Sequence, residues 1–177
     1  NDGRLDIFIP FYNRPDDPVA CAGFSSSAFT PTNRLLRNTS SGGVTRFTDV
    51  TAGSGLTVGV NATDASGSVI GPAEGAQAAD VDGDGLIDLL SGQRLYRNRG
   101  GMRFDDITVA SGLPAPTWEN FEEGAALLDW NADGRLDVVL NTQHAGGALA
   151  DGQVLGRIRL YAQQPSCASA VACFAEV

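Results

Sequence analysis

Ala78-Ala79-Asp80-Val81-Asp82-Gly83-Asp84-Gly85-Leu86-Ile87-Asp88-Leu89-Leu90 decides how this chain folds, because it returns once in full and once in part. Leu127-Leu128-Asp129-Trp130-Asn131-Ala132-Asp133-Gly134-Arg135-Leu136-Asp137-Val138-Val139 repeats it position for position. Asp2-Gly3-Arg4-Leu5-Asp6-Ile7-Phe8 is its second half. Upstream, Glu74-Gly75-Ala76 parallels Glu123-Gly124-Ala125. Self-similarity on this scale is the mark of a repeat architecture.

Two further phrases follow each acidic stretch in the same order. Arg34-Leu35-Leu36-Arg37-Asn38 pairs with Arg94-Leu95-Tyr96-Arg97-Asn98, and more loosely with Arg159-Leu160-Tyr161. Phe47-Thr48-Asp49-Val50-Thr51 with Ser54-Gly55-Leu56 pairs with Phe104-Asp105-Asp106-Ile107-Thr108 with Ser111-Gly112-Leu113, and Phe174-Ala175-Glu176-Val177 opens the same phrase. Short apolar runs bounded by Gly and Asp, such as Ile87–Leu90 and Val138–Leu140, read as strands, and no segment sustains a helical period. The expected fold is all-β: β-propeller blades, about three of them, forming part of a ring. The units fall at 1–56, 57–113 and 114–177, within one propeller domain. The first begins inside an acidic loop and carries an insertion at 10–31; the last breaks off in its closing phrase. Further insertions at Thr57–Pro72, Ala145–Gly152 and Gln163–Cys173 are expected to project from one rim of the array. Three blades would expose strand edges and an apolar face, so the reading favours a piece of a longer chain over completion by neighbouring molecules.

The acidic loop carries the chemistry. Asp80, Asp82, Asp84 and Asp88 alternate so that a tightly curled loop aims their oxygens at one centre, and Leu86 adds a backbone carbonyl. Gly85 stands where the sharp turn needs a residue without a Cβ. An oxygen-only set at positions one, three, five, seven and nine is what Ca²⁺ requires, whereas Mg²⁺ prefers to keep its waters. The third unit repeats the set with Asp129, Asn131, Asp133, the carbonyl of Arg135, and Asp137. The first retains Asp2, the carbonyl of Arg4, and Asp6. The expectation is two complete Ca²⁺ sites and a third partial one, the Asn131 site being the weaker because it has one carboxylate fewer. Asp and Gly can instead mark simple turns, but recurrence in register argues for the metal.

Charge agrees with this. The chain carries 12 basic residues, all Arg, against 21 acidic ones, for a formal charge of −9. Nine of the acids lie in the three loops, and three Ca²⁺ would lift the charge from −9 to −3. The acidity excludes a phosphate backbone as partner, and no run approaches the roughly 18 apolar residues of a membrane-spanning helix. Asn1-Asp2-Gly3-Arg4 has neither the basic lead nor the apolar core of a signal peptide. Extracellular calcium modules of this kind bind at about 10⁻⁴–10⁻³ M, which places the protein outside the cell or on its surface. Cys167 and Cys173 are expected to close a small disulfide in an oxidising compartment, leaving Cys21 over. Asn38-Thr39-Ser40 and Asn61-Ala62-Thr63 are candidate glycosylation acceptors.

In combination, Asp80–Asp88, Arg94–Asn98 and Phe104–Leu113 resemble FG-GAP/VCBS repeats, the integrin-α-like blades also found in ASPIC/UnbV-type and cartilage acidic protein-like secreted proteins. Phe121 with Gly124-Ala125-Ala126 partly echoes the motif that names the family. The resemblance implies four-stranded blades, about seven to a ring, with calcium held between the first two strands of each. Two positions depart from it: the first unit lacks its leading ligands, and Tyr161-Ala162-Gln163 stands where Tyr-Arg-Asn is expected.

Catalysis is not expected. His144 is a lone loop histidine, and Glu119, Glu122 and Glu123 beside Trp118 and Phe121 lack a fixed carboxylate separation. No phosphate loop or nucleophile motif is present. The expected role is an extracellular calcium-binding module for structure, adhesion or ligand binding, with a protein or glycan partner. A self-assembling surface filament or matrix subunit, or the accessory propeller of a larger secreted enzyme, are the alternatives.

Overall fold

The computed structural model of the chain describes residues 3–10, 33–56, 75–115, 122–142, 157–167 and 172–177. Among these residues there is no helix, and the strands form three antiparallel sheets in which sequence neighbours are hydrogen-bonded. The first sheet holds β1 (Ile7–Ile9), β2 (Arg34–Asn38) and β3 (Phe47–Asp49). The second holds β4 (Ala76–Ala79), β5 (Asp88–Ser91), β6 (Arg94–Asn98) and β7 (Phe104–Asp106). The third holds β8 (Glu122–Leu128), β9 (Asp137–Thr142), β10 (Arg157–Gln163) and β11 (Phe174–Glu176). A simple meander repeated in this way is the form of β-propeller-like blades.

Strand identity follows from two-sided burial. Leu89 and Leu90 point to opposite faces of β5, and both are buried, because a sheet lies on either side. Toward the first sheet, Leu89, Tyr96 and Phe104 pack on Leu35 and Leu56, with Phe8 and Val50 alongside. Toward the third, Val81, Leu90, Leu95 and Ile107 pack on Val138, Leu140, Tyr161 and Phe174. Leu95 is fully buried, and Leu95→Ala would leave a cavity costing about 2–5 kcal/mol. Between β5 and β6 only Gly92 and Gln93 intervene, and Gly92 takes φ 58°, the left-handed geometry that a two-residue hairpin demands.

The recurring phrases are fastenings between strands. Leu95 N donates to Thr108 Oγ1 at 3.0 Å, and Thr108 Oγ1 donates to Asp106 Oδ1 at 2.5 Å. Leu35, Thr51 and Asp49 form the same relay at 2.9 and 2.5 Å. The Arg that opens each middle phrase pairs across the sheet with the acid of the closing one: Arg34 with Asp49, Arg94 with Asp106 and Arg159 with Glu176. Ser-Gly-Leu joins one sheet to the next, since Phe104 N donates to Ser54 O and Phe174 N to Ser111 O, each at 2.7 Å. Gly55 has φ 84°, and a Cβ there would fall on the Phe104 carbonyl oxygen.

The strand ends that flank the insertions do not share one rim. Those flanking 10–32, 57–74 and 143–156 lie at the end of the sheets opposite the acidic loops, because successive connections of a meander alternate ends. The connection from β10 to β11, which carries Cys167 and Cys173, lies at the acidic-loop end. Among the described residues, no helix is long and apolar enough to cross a membrane.

Candidate metal centre

The loop Asp80–Asp88 joins β4 to β5, and its curvature comes from Gly83 and Gly85 at φ 74° and 83°. Its carboxylates first serve the loop itself. Asp80 Oδ2 accepts from Gly85 N at 2.9 Å, Asp82 Oδ1 from Asp84 N at 3.2 Å, and Asp84 Oδ1 from Leu86 N at 2.9 Å. Such side chain to backbone bonds replace the ladder that a turn lacks. Asp88 is 2% exposed and accepts from Val81 N at 3.0 Å and Asn98 N at 2.7 Å, which ties the loop to β6.

What is left over points inward. One carboxylate oxygen from each of Asp80, Asp82 and Asp88 lies within 4.8 Å of the others. Asp80 Oδ1 is sealed from solvent and has no hydrogen-bond donor. Burial pushes the Asp88 carboxyl above the ordinary carboxylate range; the two backbone N–H bonds oppose this, and the charges of Asp82 and Asp84 add to it. A half-buried negative cluster with one orphan oxygen is incompletely compensated. The compensation present is Arg97 of β6, whose Nε lies 2.6 Å from Asp82 Oδ2 and whose Nη2 lies 3.1 Å from Asp84 Oδ2. The first contact lacks hydrogen-bond alignment, so Asp82 Oδ2 and Arg97 Nε are unsatisfied as a hydrogen-bonding pair.

Of the five residues expected to ligate here, Asp80, Asp82 and Asp88 converge. Asp84 is held by Arg97, and Leu86 follows the left-handed Gly85. In the third unit, Asp129 accepts from Gly134 N at 2.8 Å, Asn131 from Asp133 N at 3.0 Å, and Asp133 from Arg135 N at 2.9 Å. Asp137 is fully buried and accepts from Gln163 N at 2.7 Å, as Asp88 does from Asn98. Here Arg135 itself pairs with Asp133 at 2.5 Å. In the first unit, Asp6 accepts from Asn38 N at 2.8 Å, Gly3 has φ 78° like its counterparts, and Arg4 is exposed. Asp2 lies outside the described residues.

Sequence reasoning missed Arg97, Asn98 and Gln163 as partners of the loops. Their signal was the fixed place of the middle phrase after each acidic stretch, Arg-Leu-x-Arg-Asn in the first two units and Arg-Leu-Tyr-Ala-Gln in the third. The Cys167–Cys173 disulfide is formed. It borders a cavity of about 380 Å³ shared by Asp80–Gly83, Gly134–Leu136 and Gln163–Cys167. Asn38 Nδ2 donates to Leu5 O at 3.1 Å. Asn61, Cys21, Trp118, Glu119, Phe121 and His144 lie outside the described residues, as do the side chains of Glu122 and Glu123.

Residues 80–140, which contain both complete acidic loops and the strands between them, match the family model of the FG-GAP-like repeat. Over this stretch the chain is similar to an FG-GAP-like repeat. No curated protein matches the chain. The match spans the second sheet's β5–β7, β8, and most of β9. Its loop donors are all hard oxygens, and the Asp80–Asp82–Asp88 cluster can hold a metal ion.

Proposed function

We propose that this chain is part of a calcium-rigidified, propeller-type binding module of an extracellular or cell-surface protein, and that it does no catalysis of its own. The observation that carries the reading is Asp80 Oδ1, a buried carboxylate oxygen without a donor, inside a cluster with Asp82 and Asp88. Asp80, Asp82 and Asp88 would hold the cation, with Asp129, Asn131, Asp133 and Asp137 as the second set. The cation supplies charge neutralisation and a crosslink between the ends of β4 and β5. Ca²⁺ is preferred over Mg²⁺ for its tolerance of many flexible oxygen ligands. The disulfide and the FG-GAP-like repeat both favour an extracellular setting. The ASPIC/UnbV-type resemblance supports the same assignment, with a protein or glycan as partner.

The test is thermal unfolding of the full chain in millimolar CaCl₂ and in excess EGTA, paired with calcium titration calorimetry. Calcium is expected to raise Tm by several degrees, and Asp80→Asn to remove most of that gain. Identical melting curves in calcium and EGTA, with no binding heat, would overturn the reading.

A further inference from the structure

The middle phrase ends in asparagine in the first two units and in glutamine in the third. Register makes the three residues equivalent: Asn38 faces Phe47, Asn98 faces Phe104, and Gln163 faces Phe174. The asparagines serve their own loops. Asn38 Nδ2 donates to Leu5 O at 3.1 Å and Asn98 Nδ2 to Ile87 O at 2.8 Å, each at the residue before the loop's last aspartate. Gln163 is longer by a methylene, and its Nε2 crosses into the neighbouring unit to donate to Val81 O at 3.0 Å.

Gln163 is 8% exposed, and Val81, at 6%, stands between Asp80 and Asp82 of the second loop. A carbonyl can only accept, so the amide nitrogen faces Val81, and Gln163 Oε1 is left sealed and without a donor. The neighbouring loop therefore sets how this amide lies. The third loop grips the same residue by its backbone: Gln163 N donates to Asp137 Oδ1 at 2.7 Å, and Arg135 Nε donates to Gln163 O at 3.3 Å. On the far side, Val81 N donates to Asp88 Oδ2 at 3.0 Å. An unbroken chain of contacts thus runs from Asp137 through Gln163 and Val81 to Asp88, joining the buried closing aspartates of the two acidic loops.

We propose that Gln163 couples these two loops, so that order or a bound cation in the third strengthens the second, and the reverse. Ordering the third loop fixes Asp137 and Arg135, and these fix the Gln163 backbone. Gln163 then fixes the backbone between Asp80 and Asp82, two of the three converging carboxylates. It is a positioning residue, acting through Val81. A short physical network of this kind carries coupling, and the coupling is reciprocal between its two ends. The proposal deepens the metal-module reading, on which its calcium arm rests, whereas the strap itself needs no cation.

A double-mutant cycle on the full chain in EGTA tests it, read by amide hydrogen exchange at the Val81 N–H. Asp129→Asn loosens the third loop, because a single oxygen replaces the two that now accept from Asp133 N and Gly134 N. Gln163→Asn shortens the strap, keeps the backbone bonds of residue 163, and installs the residue that the other units use. Gln163→Met, which keeps the length but donates nothing, is the second strap variant, and circular dichroism checks that each chain folds. With Gln163 present, Asp129→Asn is expected to speed Val81 exchange about fivefold or more. In either strap variant the same substitution is expected to leave that exchange unchanged. Equal effects with and without the strap, or no effect of Asp129→Asn while Gln163 is present, would overturn the coupling.

Calcium titration calorimetry of the same chains separates this result from the metal reading. Asp129→Asn is expected to weaken calcium binding at the second loop about fivefold with Gln163 present, and to leave it unchanged in the strap variants. Exchange coupling with no calcium heat in any chain would sustain the strap and sink the calcium reading; calcium binding without exchange coupling would do the reverse.

Discussion

Arg97 reaches from β6 into the acidic loop and sets its Nε 2.6 Å from Asp82 Oδ2, so that a guanidinium shares carboxylates with the candidate metal centre. The side chains of Arg97 and Asp82 are only 15% and 7% exposed, which makes the pair stronger than a surface ion pair. An arginine there stabilises the metal-free loop and competes with an incoming cation. Arg97→Gln is therefore expected to lower Tm in EGTA while tightening calcium binding several-fold, enlarging the calcium-induced rise in Tm. Parallel melting and calorimetry measure both. A variant that binds calcium more weakly than wild type would show Arg97 to be a support of the site and not a competitor.

Thr108 is the hinge of a buried relay, accepting from Leu95 N and donating to Asp106 Oδ1. Thr108→Val keeps the shape but leaves the Leu95 N–H buried without a partner, a loss of about 1–3 kcal/mol. Thr108→Ser should retain most of the stability, since the hydroxyl carries the bond. Chemical denaturation of the two variants separates the outcomes, and a larger loss in Thr108→Ser than in Thr108→Val would assign the effect to the methyl group's packing.

The equivalent relay in the first sheet makes a statement about pH. Asp49 is held below the ordinary carboxylate range by the Thr51 hydroxyl first, then by the Thr51 N–H, with Arg34 adding a smaller pull against desolvation. A carboxyl whose folded pKa is lowered contributes stability that is complete above its unfolded value and is lost as pH falls through the folded value. Acid titration followed by carboxyl NMR is expected to show Asp49 protonating below an unperturbed aspartate. Thr51→Val should move it upward toward the ordinary value. An unchanged titration in Thr51→Val would remove the hydroxyl as the cause.

The repeat, the strands and the acidic loops were legible because each is written in adjacent residues: alternating Asp, a Gly at the bend, a short apolar run. Cys167 and Cys173 were legible for the same reason. The duties of the other phrases were not, because their partners lie across the sheet. Nothing local says that Arg94 meets Asp106, that Asn98 N binds Asp88, or that Ser54 O receives Phe104 N. The local pattern also did not show Arg97, whose long side chain reaches from a neighbouring strand to both Asp82 and Asp84. The single-rim expectation failed on the β10–β11 connection, because which end a loop occupies depends on counting strands and not on loop composition.

Ala132 stands in the third acidic loop where the second has Gly83, and both take left-handed backbone, φ 59° against 74°. A residue with a Cβ is disfavoured there by about 1 kcal/mol. Ala132→Gly removes that strain, while glycine's greater freedom in the unfolded chain offsets part of the gain. The expected result is a net stabilisation of up to about 1 kcal/mol, seen as a higher denaturant midpoint with an unchanged slope. Because the loop already holds its turn through Asp129, Asn131 and Asp133, the substitution should leave the rest of the sheet undisturbed. The reverse change, Gly83→Ala, should destabilise the second loop, since it imposes the same strain on backbone that now avoids it. Gains or losses of the same sign in both variants would mean that backbone strain is not what separates the two loops.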